Sequence, residues 1–112
     1  MTRQEIFTKV ATHLLTQNAQ SRDGLGCAYR GEEGRMCAAG CLIPDELYTP
    51  GLEGASALDA KLVDVWKQLG ISKLDQCFIK VLQVLHDAKP VEEWRDGLKK
   101  LAKAHKLKFP RV

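Results

Sequence analysis

The sequence lacks any hydrophobic run that approaches the roughly 20 apolar residues needed to cross a membrane. It also lacks an apolar segment behind the charged residues of its N-terminus, which a secretory signal peptide would have. Internal repeats and low-complexity segments are absent as well. These absences exclude membrane-spanning and repeat proteins, and we expect a cytoplasmic protein whose thiols stay reduced.

Length and composition indicate a single domain over residues 1–112. Hydrophobic residues make up 45% of the chain and charged residues 28%, ordinary values that argue against disorder. A chain of this length can bury a modest core without a cofactor.

Four segments have the apolar spacing of helices. The first follows a capping box from Thr2 to Glu5, in which a hydroxyl and a carboxylate satisfy free backbone amides. The second is predicted to begin at a cap at Ser56 and to end at Gly70, because glycine commonly stops helices.

The third segment is predicted to be a helix over residues 73–87, capped by Ser72. Its apolar residues cover most of the circumference, so we expect it to be the buried centre of the domain, with Cys77 in the core. A fourth helix carries Trp94 and Leu98 on one apolar face.

A corner of different composition, residues 27–48, interrupts this helical pattern. The segment GEEG at 31–34 is flanked by residues 27–30 and 35–38, which predicts a turn between two short strands. The expected fold is therefore mainly α, of the α+β type. About four helices surround a buried central helix, with one small β-hairpin packed on them.

Three cysteines in the corner suit a metal site. Cys27, Cys37 and Cys41 could supply thiolate ligands to zinc, which prefers four tetrahedral ligands. His86 is the predicted fourth ligand, with His13 or Asp87 as alternatives. The competing interpretation is that these small thiols only fill space in the core, with no cofactor bound.

A cysteine-dependent enzyme is a second interpretation. Cys37 or Cys41 would be the nucleophile, with His86 as the base and Asp87 beside it. Neighbouring residues on a helix point about 100° apart. We therefore expect Asp87 not to orient the imidazole of His86.

Charge is distributed unevenly along the chain. Residues 1–56 hold five Lys/Arg and seven Asp/Glu, whereas residues 57–112 hold twelve and seven. The last sixteen residues contain six Lys/Arg and no acid. This basic end is predicted to bind either an acidic protein surface or nucleic acid, through Lys99, Lys103 and Lys106.

The hairpin is a second candidate contact surface. Exposed Tyr29, Arg30 and Arg35 would suit protein recognition. In the alternative interpretation Arg30 is buried and pairs with a carboxylate such as Asp45 or Glu46, which pins the corner. The oligomeric state stays open.

The corner, read as CAYRGEEGRMCAAGCLIPDELY, resembles a family of small uncharacterised proteins of bacteriophages and bacterial genomes, and the later residues 82–87 with their His-Asp pair add to this resemblance. The resemblance covers most of the chain. It implies a bacteriophage or prophage origin, with the host cytoplasm as the location.

The resemblance also implies a function by analogy, because small bacteriophage proteins often bind host factors. Our leading hypothesis is a non-enzymatic protein that binds a host protein, for example as an inhibitor of a bacterial defence system. The zinc-binding or cysteine-dependent enzyme and the nucleic-acid-binding module are the alternatives.

Overall fold

The computed structural model describes residues 1–24 and 26–112. These residues form four α-helices: α1 (Arg3–Gln17), α2 (Ala60–Gln68), α3 (Lys73–Ala88) and α4 (Trp94–Ala104). Short 3₁₀ turns lie in the connection between α1 and α2 and at the entry to α4: Glu32–Gly34, Gly40–Leu42, Asp45–Leu47, Pro50–Leu52 and Val91–Glu93. The prediction of a mainly helical protein with four helices is confirmed.

The ends of three helices follow local sequence signals. The Thr2 hydroxyl accepts from the Glu5 amide, and the Glu5 carboxylate accepts from the Thr2 amide, so the capping box is confirmed. Ser72 caps α3 as predicted, and Gly70 follows α2 with a left-handed φ of 71°. The start of α2 was predicted three residues too early, because Asp59 and not Ser56 caps it.

The centre of the fold is α1. Its buried face consists of Ile6, Phe7, Val10, Ala11 and Leu14. This face packs against the Gly40–Leu42 turn, α3 and α4. Apolar residues three and four apart lie on one side of a helix, so a single stripe on α1 supports three other parts of the chain.

The prediction of a central helix buried on all sides is wrong for α3. Its inner face is buried, but Leu74, Val81 and Val84 are 75%, 44% and 49% exposed. Cys77, which we expected in the core, is exposed as well. The reason is that α1 and α4 pack together on one side of α3, so no described element covers the outer side.

Both tryptophans lie completely inside the core. The indole N–H of Trp66 donates to the Ala57 carbonyl at 2.8 Å, and that of Trp94 donates to the Lys89 carbonyl at 3.0 Å. Each large apolar ring is thus buried with its polar atom satisfied.

The β-hairpin is not confirmed, because the described residues of the corner form only single antiparallel bridges, Arg22 to Cys27 and Arg30 to Met36. Side chains outside this segment accept hydrogen bonds from the backbone amides that would otherwise pair the two strands of a hairpin. Glu53 accepts from the Tyr29 and Arg30 amides, and Gln17 accepts from the Met36 amide. The residues between Arg30 and Met36 include a 3₁₀ turn, Glu32–Gly34.

Among the described residues, no helix is both long enough and apolar enough to cross a lipid bilayer.

We predict that Gly40→Ala destabilises the fold. A methyl group at this buried position would collide with the main-chain carbonyl of Tyr29, which cannot move without shifting the corner. The expected loss is about 1–3 kcal/mol in the free energy of unfolding, measured by urea denaturation. Gly51→Ala is the control, because its added methyl would meet only the Thr49 hydroxyl at 3.7 Å. Equal effects of the two substitutions would contradict this account of the corner.

Candidate functional site

A cluster of three side chains lies where the corner meets the C-terminal end of α3. Ligand atoms of Cys27, His86 and Asp87 all lie within 4.8 Å of one another. Of the four predicted zinc ligands, the structure brings only Cys27 and His86 into this group. Cys37 instead accepts from the Gly40 amide at 3.3 Å, and Cys41 donates to the Ala38 carbonyl at 3.1 Å.

The hydrogen bonds of His86 define its tautomer. Its ring is completely buried, and Nε2 lies 3.0 Å from the Ser21 amide, which can only donate. Nε2 therefore carries no proton, and the proton on Nδ1 points to the Asp87 carboxylate at 2.7 Å. The expectation that Asp87 does not orient this imidazole is wrong.

The physical reason is that Nδ1 lies close to the main chain, where the short side chain of the next residue can reach it. Gln83, one helical turn earlier, holds Asp87 in place, because its amide donates to the same carboxylate at 2.8 Å. The carbonyl oxygen of Gln83 accepts from the Ala39 amide at 2.8 Å. This one glutamine thus connects α3, Asp87 and the corner.

The environment of the cluster keeps its thiol protonated. Burial, together with the charge of Asp87 and a hydrogen bond to it, raises the pKa of Cys27 to about 11. Burial alone would raise the pKa of the Asp87 carboxyl, but hydrogen bonds from His86, Cys27 and Gln83 outweigh it and lower that pKa. Asp87 is therefore a carboxylate at neutral pH, and Cys27 is a neutral thiol.

The other corner cysteines are no better suited to nucleophilic chemistry. Burial raises the pKa of Cys37 and of Cys41 to about 12. A catalytic cysteine needs a lowered pKa or an adjacent base. The lone pair on His86 Nε2 already accepts from Ser21, so this imidazole has no free basic nitrogen.

Zinc binding stays a hypothesis. Coordination through Nδ1 would require His86 to change its tautomer, which is energetically unfavourable here. Coordination through Nδ1 would move the proton to Nε2, where it would face the N–H of Ser21. Two donors would then oppose each other inside the core, an arrangement that buried polar groups avoid.

A cleft with a volume of about 400 Å³ opens beside the cluster. Three residues from one face of α3 line it, namely Lys80, Gln83 and Asp87. The opposite wall consists of Cys27, Tyr29 and Cys37 of the corner and the loop 54–57.

The residues predicted for recognition in the corner mostly serve to hold it together. Tyr29 is only 6% exposed, and its hydroxyl donates to the Ala55 carbonyl. Arg30 pairs with Asp45 at 2.6 Å and donates to the Ile43 carbonyl at 2.7 Å. The pairing of Arg30 with Asp45 is confirmed, while Arg35 pairs with the exposed Glu33.

Sequence reasoning missed three polar residues that organise the site. Glu53 accepts from the Tyr29 and Arg30 amides, and it also accepts from the Tyr48 hydroxyl at 2.7 Å. Ser21 and Gln83 are buried and form the contacts to His86, Asp87 and Ala39. A signal existed for Gln83, because it is a polar residue within the apolar pattern of α3.

Lys99, Lys103 and Lys106 are exposed, as the basic end predicts. The ammonium group of Lys99 lies 5.8 Å from the centre of the Phe109 ring. None of the three forms an ion pair within the described part of the chain.

Comparison of the chain with models of protein families, with curated proteins and with solved structures gives no match. The resemblance to small bacteriophage proteins therefore stays a prediction.

We predict that only one cysteine of the native protein reacts rapidly with a thiol reagent such as DTNB at neutral pH. Cys77 is exposed, whereas Cys37 and Cys41 are buried thiols of raised pKa. Cys77→Ser should abolish the fast phase, and unfolding should release the remaining thiols. A fast phase that persists in Cys77→Ser would instead reveal an activated cysteine in the corner.

We predict that Asp87→Asn destabilises the protein at pH 7 but not in acid. A carboxyl whose pKa is lowered by folding adds stability above its unfolded pKa of about 3.9, and this stability is lost as the pH falls through the folded value. Denaturant unfolding of both proteins should show a difference at pH 7 that shrinks below pH of about 4. Asp64→Asn, at an exposed position on α2, should show no comparable trend.

Proposed function

We propose that this is a small non-enzymatic protein of bacteriophage type that binds an acidic region of a host protein. The observation that carries the proposal is a basic surface, which comprises Lys99, Lys100, Lys103, Lys106, Lys108 and Arg111. All six side chains are exposed, and none forms an ion pair within the described part of the chain. Cations without partners attract a partner of opposite charge and accelerate its association.

The backbone beneath the basic surface is anchored. Gln4 of α1 forms two hydrogen bonds with the main chain of Lys108, at 2.8 and 2.9 Å. The Phe109 ring packs edge-on against Phe7 at 6.2 Å. Arg95 also donates to the Val112 carbonyl at 2.9 Å. An anchored backbone costs less conformational entropy on binding than a loose tail does.

Two features favour a protein over nucleic acid as the partner. Exposed acidic residues, Glu92, Glu93 and Asp96, lie at the start of the same helical segment and would repel a uniformly negative phosphate backbone. The aromatic rings available for base stacking are occupied, since Trp94 is buried and Phe109 packs on Phe7. Mixed charges are matched more readily by a protein surface.

The non-enzymatic character rests on the protonated corner thiols and on the blocked His86 nitrogen. No specific observation favours an enzyme built on Cys37, Cys41, His86 and Asp87. The bacteriophage origin and a role as inhibitor of a host machine, such as a defence system, rest on the motif resemblance alone.

The test is affinity capture from nuclease-treated bacterial lysate, followed by quantitative mass spectrometry. We expect the triple variant Lys99→Glu, Lys103→Glu, Lys106→Glu to recover an acidic partner at least about tenfold less than the unmodified protein. The control reverses three exposed lysines elsewhere, Lys9, Lys61 and Lys67, and should keep the partner.

Equal recovery by the triple variant and the unmodified protein would exclude the basic surface as the binding site. A partner that is recovered from untreated lysate but not from nuclease-treated lysate would support the nucleic-acid-binding module instead. In that case, titration of the purified protein with duplex DNA should show a steep dependence on salt.

A further inference from the structure

The outer face of α3 carries an apolar stripe with the spacing of a coiled-coil seam. The α3 stripe comprises Leu74, Cys77, Val81, Val84 and Ala88, with intervals of three, four, three and four residues. All five are exposed, and Leu74 is the most exposed large apolar residue of the described chain. Alternating intervals of three and four place apolar side chains along one line of a helix, where a second helix can cover them.

A groove lies at the C-terminal end of this stripe, between α3 and α4. Its volume is about 400 Å³. The α3 wall consists of Val81, Val84, Leu85 and Ala88. Residues spaced in this way enclose a diamond on a helix surface, which is the shape of the hole that accepts one side chain of a partner helix.

The other wall of the groove comes from α4, through Gly97, Lys100, Leu101 and Ala104, and Lys89 also lines the groove. A methyl group at Gly97 would collide with the Leu85 side chain, so the glycine lets Leu85 pack close to α4. The groove therefore has an apolar floor, and it begins at Val81, about two helical turns from Leu74 along the same helix.

We propose that α3 pairs in antiparallel orientation with α3 of a second copy of this chain. Leu74 of each copy then enters the groove of the other and lies against Val84 of the second copy. Cys77 faces Val81 of the second copy in the same register. The same patch contributes a protruding side chain and a hole, so it is self-complementary, as a two-fold symmetric interface requires.

Charge complementarity selects the antiparallel orientation. Lys73 and Asp87 occupy the same flank of the α3 stripe, one at each end. Antiparallel pairing brings Lys73 of each copy beside Asp87 of the other, which gives two opposite-charge contacts. Parallel pairing would place Lys73 and Lys80 beside Phe78 and Leu85, with no opposite charge.

One like-charge contact remains, because Lys80 meets its own copy at the two-fold axis. Its side chain also lines the cleft beside Cys27. This repulsion is outnumbered by the two opposite-charge contacts. The seam from Leu74 to Ala88 is roughly 21 Å long for a rise of about 1.5 Å per residue. A contact of this length belongs to the small interfaces, and we expect a dimer of micromolar affinity.

Self-association through α3 is independent of the proposed host partner. Of the basic surface, Lys100 lines the groove, whereas Lys99, Lys103 and Lys106 do not, so these three lysines stay accessible in the dimer. A dimer would present two such surfaces, which raises the apparent affinity for a multivalent partner.

Sedimentation equilibrium of the full chain tests the dimer. Its mass should rise toward that of two chains between roughly 1 and 500 µM. Leu74→Lys should weaken the dimer at least about tenfold, because it puts a positive charge into an apolar groove that Lys89 and Lys100 also line. Leu58→Lys is the control, because Leu58 is 43% exposed and lies outside the α3 stripe.

Circular dichroism should show the same helical content for both variants, since both positions are exposed. A wild-type chain that stays monomeric over the whole range overturns the proposal. Equal dimerisation of Leu74→Lys and Leu58→Lys also overturns it.

Cross-linking tests the register. In a Cys77→Ser background, Leu74→Cys combined with Val84→Cys should form a disulfide-linked dimer on mild oxidation, because these positions face each other between copies. Leu74→Cys alone should not cross-link, since its two copies lie at opposite ends of the seam. An efficient disulfide between the Cys77 residues of two wild-type chains would instead indicate parallel pairing and overturn the antiparallel register.

Discussion

The buried imidazole of His86 is the interaction on which the arrangement of the corner depends. A completely buried polar ring must have both nitrogens satisfied, and here the Ser21 amide and the Asp87 carboxylate do this. The ring also stacks on Trp94 at 5.4 Å, and the His86 carbonyl accepts from Gln20. A single side chain therefore joins α3, the entry to α4 and the segment before the corner.

The contacts that stabilise the corner also lower the chemical reactivity of its side chains. The Ser21 amide occupies the lone pair of His86, and the negative charge of Asp87 helps to keep Cys27 protonated. The side chains that suggest catalysis or metal binding in the sequence thus also form a structural junction.

Most local signals could be predicted, whereas most long-range contacts could not. The capping box of α1 and the cap at Ser72 involve groups within a few residues of one another, and both are present. The β-hairpin is not formed, since Glu53 and Gln17 accept from backbone amides that are 19 to 24 residues away in the sequence. Two of the predicted zinc ligands, Cys27 and His86, do lie close together. However, no sequence signal near His86 indicates that the Ser21 amide would donate to its Nε2 atom.

The sequence by itself determined the helical segments, the caps of α1 and α3 and the basic C-terminal end, because these depend on spacing and composition along the chain. Only the tertiary structure decided which faces are covered. The pattern of α3 is apolar nearly all round, and periodicity alone cannot show that α1 and α4 pack on the same side of it. The exposed Leu74, Cys77 and Val84 are the result, since burial depends on neighbours that come from distant parts of the chain.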